Sequence, residues 1–116
     1  MKLSFNNRTK ALEKALKTKK LSDLHQKWPN SKGQILKALI ILENAGNLYD
    51  VMQFKMFRPH AMYKDGKYPY ECFSIAPAGR LTIRLVSEDT DGKKLKVLDY
   101  KSPCAHVLEV GEHYGD

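Results

Sequence analysis

The hydrophobic period changes once along this chain, and that change limits the fold more than any other feature. Up to residue 46 apolar side chains recur at helical spacing; beyond residue 50 they recur at every second position. In residues 9–20, Leu12, Ala15 and Leu16 stand at i, i+3 and i+4, one apolar stripe with lysines on the other faces. Leu21 and Leu24 extend it. Pro29 and Asn30-Ser31 break the chain and supply an N-cap. A second helix is expected over residues 32–45, with Ile35, Leu36, Leu39, Ile40 and Leu42 as a wide apolar face. Gly46 suits the left-handed position after its last turn, with Leu48 folded back on it. A short connection between two amphipathic helices predicts an antiparallel hairpin, with His25 and Trp28 packed between its arms.

Four strands are expected after it: Glu71–Ile75, Arg80–Val86, Lys94–Tyr100 and Ala105–Val110. Pro77-Ala78-Gly79, Asp91-Gly92 and Ser102-Pro103 are the turn signals between them. Strands joined so tightly pair antiparallel. Along the second of them Leu81, Ile83 and Leu85 share one face; Arg80, Thr82 and Arg84 share the other. The apolar side is expected to pack on the helices. The expected fold is therefore α+β: an N-terminal helical hairpin on one face of a mainly antiparallel four-stranded sheet. At 116 residues the whole chain, 1–116, reads as one domain without repeats or linkers.

Charge is unevenly placed. Residues 1–46 hold ten Lys or Arg against three Asp or Glu; residues 47–116 hold ten of each. The helical part carries the entire excess of +7, a surface suited to polyanions or an acidic protein. The longest apolar run, Ala38 to Leu42, is far short of the roughly 20 residues of a membrane span. No apolar stretch of a secretory signal opens the chain. Cys72 and Cys104 form no disulfide scaffold, which points to the reducing cytoplasm.

Several chemistries lack their usual signatures. There is no P-loop, no Gly-rich dinucleotide fingerprint and no G-x-S-x-G elbow. The spacing of Cys104, His106 and His113 matches no common zinc pattern, so neither metal nor cofactor is expected. The remaining polar residues suit metal-free RNA cleavage. There the 2′-OH attacks the adjacent phosphate, one group takes its proton and another protonates the leaving 5′-oxygen. Cations stabilise the pentacoordinate phosphate, a task suited to the planar fork of arginine. Candidates are Arg58 and His60, Lys64 and Lys67, Arg80 and Arg84, and Glu112, His113 and Tyr114. Tyr63, Tyr68 and Tyr70 could stack on bases or pack at the rim.

An ordered series of short segments carries a family resemblance. Ser4-Phe5-Asn6-Asn7 leads into Leu12-Glu13-Lys14; Leu42-Glu43-Asn44-Ala45 is followed by Asn47-Leu48. Then come Arg58-Pro59-His60-Ala61-Met62 with Lys64-Asp65-Gly66, Arg80-Leu81-Thr82-Ile83, and Val107 to Tyr114. In this order they resemble the RelE/HigB superfamily of bacterial toxins, most closely its HigB or plasmid-maintenance killer branch.

The resemblance implies a RelE-like fold and a ribosome-dependent mRNA endonuclease that arrests translation. It implies three partners: a cognate antitoxin in a hetero-oligomeric complex, the ribosome and mRNA, with no membrane. It places His60 on the family's histidine, Arg80 on its phosphate-binding arginine and Glu112 on the acidic residue of its closing motif. His113 and Tyr114 stand in the reverse of the family's order, so they are taken as a pair. Two alternatives stay open: a ParE-like inhibitor of DNA gyrase, and a non-catalytic nucleic-acid or protein-binding module on the same scaffold.

Overall fold

The computed structural model describes residues 1–62 and 68–112, with the backbone alone at Glu112. Among these residues a five-stranded mixed sheet is packed on one face by helices, an α+β architecture. The strands are β1 (Lys2–Ser4), β2 (His60–Met62), β3 (Cys72–Ala78), β4 (Leu81–Glu88) and β5 (Cys104–Glu112), in the spatial order β1-β5-β4-β3-β2. The helices are α1 (Lys10–Thr18), α2 (Ser22–His25), α3 (Lys32–Asn44) and α4 (Leu48–Val51).

The helical stripes lie where the sequence put them. Leu12, Leu16, Leu24, Ile35, Leu39 and Leu42 are buried against Phe73, Ile75, Ile83, Leu85, Ala105 and Val107 of the sheet. Thr9, just ahead of α1, is fully buried and donates its hydroxyl to the Val107 carbonyl at 3.1 Å, which pins the helix start to β5. At the far end of α3 the Met1 α-amine donates to the carbonyls of Leu42, Glu43 and Ala45. These acceptors stand at the negative end of the helix dipole, while burial holds the amine below its usual value.

The sheet corrects several expectations. It has five strands, because the three-residue segments β1 and β2 add an edge on each side. β1 runs parallel to β5, with Ser4 opposite His106. Lys94–Tyr100 is no strand: it makes one bridge, Glu88 to Lys94. Both edges of β4 are already taken, by β3 and β5, and Val97 is left 64 % exposed. Gly46 is not left-handed; α3 ends on an extended Ala45, and among the described residues the positive-φ glycines are Gly79 and Gly92, in two of the expected turns. His25 is exposed and meets Lys32, whereas Trp28 packs on the core.

Two irregularities shape the sheet. Between Ile75 and Ala78 β3 carries one residue more than β4, a bulge that accommodates Pro77, which has no N–H for the ladder. In β5, Arg84 opposes Glu109 while Leu85 opposes Val107, so Leu108 is the extra residue. Such a bulge turns two successive side chains to one face. Val107 and Val110 face the helices; Leu108 joins Cys72 and Val86 on the opposite face.

Candidate functional site

The face turned away from the helices carries the candidate chemistry. Register aligns one polar residue from each of four adjacent strands: His60 opposite Ser74, Ser74 opposite Arg84, and Arg84 opposite Glu109. At 4.7–4.9 Å per strand, His60 and Arg84 lie roughly 10 Å apart along this row.

His60 begins the edge strand β2. Its Nδ1 is 2.9 Å from the Arg58 carbonyl, which fixes that nitrogen as the donor and leaves the lone pair of a neutral ring on Nε2. Nε2 is enclosed and meets no hydrogen-bond partner among the described residues. The same holds for the hydroxyl of Ser74, directly across the strand pair and fully buried. An unsatisfied buried polar group costs about 1–3 kcal/mol. Two such groups face one another across the strand pair, which makes this the candidate site.

Arg84 corrects a sequence expectation. It lies on the open face, as alternation requires, but is only 3 % exposed and does not present its guanidinium to solvent. Its Nε is 3.7 Å from the Glu109 carboxylate, its guanidinium lies 5.4 Å from the Tyr68 ring centre, and it reaches the Met62 sulfur at 3.6 Å. Tyr68 in turn donates its hydroxyl to Glu109 at 2.6 Å. Burial, and then the carboxylate that accepts this bond, pushes the phenol up to about 12. Arg84, Glu109 and Tyr68 therefore form a compensated, mostly internal cluster. Through this bond Tyr68 packs at the rim of the sheet.

Arg80 also departs from its expected place. It sits in the turn before β4 rather than in the strand, and it is exposed. At about 3.3 Å per residue it lies about 13 Å along the sheet from Arg84, and it is out of side-chain reach of His60. Two features converge on its turn. The exposed Arg58 donates from its guanidinium to the Gly79 carbonyl. β5 ends there too, with Glu112 opposite Leu81. This end of the sheet thus gathers Arg58, Arg80 and the backbone of Glu112, and the Arg58 carbonyl holds the His60 ring. Lys64, Lys67, His113 and Tyr114, with Tyr63, lie outside the described residues.

A second histidine, His106, serves the scaffold. The Arg8 N–H donates to Asn6 Oδ1 at 2.8 Å, which turns the Asn6 Nδ2 toward His106 Nε2 at 3.0 Å. His106 Nε2 is then an acceptor, and Nδ1–H donates to Ser4 Oγ at 2.6 Å. Burial, and then the Lys94 charge, holds this ring down at about 4. At neutral pH it is uncharged, so Glu88 at 4.0 Å makes no ion pair with it. His106 joins β1 to β5 and cannot act as a base toward Ser4.

Ser74 and Glu109 are the residues of this face whose roles sequence reasoning missed, together with the bond from Tyr68 to Glu109. A serine in a strand carries no signal of its own. Only the register puts it between a histidine and an arginine. The helical layer displays Lys10, Lys14, Lys17, Lys19, Lys20, Lys27 and Lys37, all exposed. Only Lys14 and Lys19 have an acidic partner among the described residues, Asp23 and Glu43. No family model, curated protein or solved structure matches this chain.

Proposed function

We propose that this chain is a toxin of the RelE/HigB kind, an endoribonuclease that cuts mRNA at the ribosome without a metal and so halts translation in the cytoplasm. The observation that carries this reading is His60: its tautomer is set by the Arg58 carbonyl, its Nε2 meets no partner among the described residues, and Arg58 itself reaches the turn that bears Arg80. Such a nitrogen can accept a proton, and the exposed guanidiniums of Arg58 and Arg80, gathered at the neighbouring end of the sheet, can neutralise a phosphate.

In this reading Arg80 and Arg58 bind the scissile phosphodiester. The 2′-oxygen forms a bond to phosphorus as its proton leaves to a base, and the P–O5′ bond breaks as an acid protonates the 5′-oxygen. The products are a 2′,3′-cyclic phosphate and a 5′-OH end. His60 supplies one proton transfer; Glu112 and the His113–Tyr114 pair supply the other, with Lys64 and Lys67 flanking the RNA. Arg84 does not touch phosphate but holds Glu109 and Tyr68 in place. The lysines of α1 and α3 dock on ribosomal RNA, a salt-sensitive contact, and the same basic surface suits an acidic antitoxin.

The compensated Arg84–Glu109 pair favours one second reading, a non-catalytic binding module. Primer extension on cellular mRNA after induction tests both. Codon-linked cuts that vanish in Arg80→Ala and His60→Ala, with the fold kept, are the expected result. Cuts that persist in both variants refute the site. Intact transcripts refute the nuclease; growth arrest with inhibited gyrase would then favour a ParE-like toxin, and harmless expression the binding module.

A further inference from the structure

A cleft of about 350 Å³ opens at the corner between β1 and α1, lined by Asn6, Asn7, Arg8, Tyr68 and Leu108. Its chemistry is unlike that of the rest of the surface. Tyr68 offers an aromatic ring and Leu108 an apolar wall. Arg8 is exposed; its guanidinium makes no hydrogen bond or ion pair among the described residues, and its charge reaches the Tyr68 hydroxyl. The two amides are not equivalent. Asn6 is fully used: Oδ1 accepts from the Arg8 N–H, and Nδ2 faces His106 Nε2 and the carbonyls of Val107 and Leu108. That bonding fixes the corner. Asn7, next to it, is exposed, and its amide has no partner among the described residues.

We infer that this cleft is a subsite for one nucleotide of single-stranded RNA, in which Asn7 reads a base edge and Arg8 neutralises the attached phosphate. A flat ring against Tyr68, a donor–acceptor pair matched by a primary amide, and an anion beside a guanidinium together describe a nucleotide and no simpler ligand. Asn6 acts as a positioning residue that holds Asn7 and Arg8 at the rim. Leu108 lies four residues along β5 from Glu112, about 13 Å at the strand rise. The cleft therefore reads a nucleotide a short distance along the strand from the phosphate at the Arg58–Arg80 end. This inference rests on the nuclease reading for the identity of its ligand, but not for its geometry.

The test titrates the full chain with the four ribonucleoside 3′-monophosphates and with inorganic phosphate, and follows the backbone amides of Asn7, Arg8 and Leu108 by NMR. One base is expected to bind at least fivefold more tightly than another, since a bidentate amide–base pair discriminates by roughly five- to a hundredfold. Asn7→Ala should abolish that preference and leave phosphate affinity unchanged. Asn7→Asp, which only accepts, should shift preference toward bases bearing an exocyclic amine. Arg8→Ala should weaken all four alike. A base preference that survives Asn7→Ala, binding without preference, shifts confined to other residues, or no binding of any mononucleotide overturns the subsite. Cleavage with unchanged sequence context in Asn7→Ala would sink the subsite and leave the nuclease standing. Base-selective binding without any cleavage would do the reverse.

Discussion

Removal of the Glu109 side chain tests the claim that Arg84 is a structural cation. The side chains of Arg84 and Glu109 are 4 % and 12 % exposed. Glu109→Ala leaves a guanidinium inside the protein without its carboxylate, and leaves the Tyr68 hydroxyl without its acceptor. Breaking a buried pair in this way costs about 3–5 kcal/mol. Domains of this size hold roughly 5–15 kcal/mol in total. At roughly 4–5 °C per kcal/mol, the melting temperature should fall by roughly 12–25 °C. The assay is thermal and urea denaturation followed by circular dichroism. The double variant Arg84→Met with Glu109→Leu removes both charges together. It should recover most of the loss, because a buried pair is worth little against apolar side chains of similar volume. It should also keep RNA cleavage, since Arg84 touches no phosphate in the proposed mechanism. A Glu109→Ala loss below about 1 kcal/mol, in the range of exposed ion pairs, would refute the buried-charge reasoning. A double variant no more stable than the single would refute it equally.

Three further outcomes are expected. Spectrophotometric titration should show Tyr68 ionising near 12, above the ordinary tyrosine value of 10, and Glu109→Gln should bring it down; an unshifted Tyr68 would contradict the 2.6 Å bond. His106 titrates at about 4 in the fold against 6.5 unfolded, so below 6.5 the unfolded chain binds a proton that the folded chain refuses. Its contribution is complete above 6.5 and is lost as pH falls toward 4, at most about 3 kcal/mol; urea midpoints at several pH values should show this slope in the wild type and a flatter one in His106→Asn. RNA affinity should fall linearly on a log–log plot against salt, and the slope should shrink by about one for each phosphate-contacting helical lysine replaced by alanine. A slope indifferent to Lys10, Lys14 and Lys17 would move the docking surface off α1.

What could be read in advance follows the physics of each element. The helical stripes and the alternation of Leu81, Ile83 and Leu85 were legible because each buries one face on the other layer. β1 and β2 were not: three residues are too few to show a period, and both exist because a long neighbour offers an open edge. In Lys94–Tyr100 the alternation slips at Val97-Leu98, and both edges of β4, the strand it follows, were already taken. For Arg84, alternation gave the correct face and said nothing of what covers that face. Arg80 was misplaced by one residue, the difference between a strand and its turn. The row from His60 to Glu109 joins residues up to 49 positions apart in number, and only strand register could reveal it.

The extra residue in β5 adds a side chain to the outer face without changing the phase of its neighbours. If Leu108 were deleted, the ladder with β4 could close as a regular one, and hydrogen bonding alone would scarcely register the loss. The side chains on either side of that point would also keep their places: Val107 would still face the helices opposite Leu85, Glu109 would follow it on the outer face opposite Arg84, and Val110 would return to the core opposite Ile83. Shortening β5 at Leu108 should therefore keep the polar row and its carboxylate, and strip only the apolar cover from Cys72 and Val86.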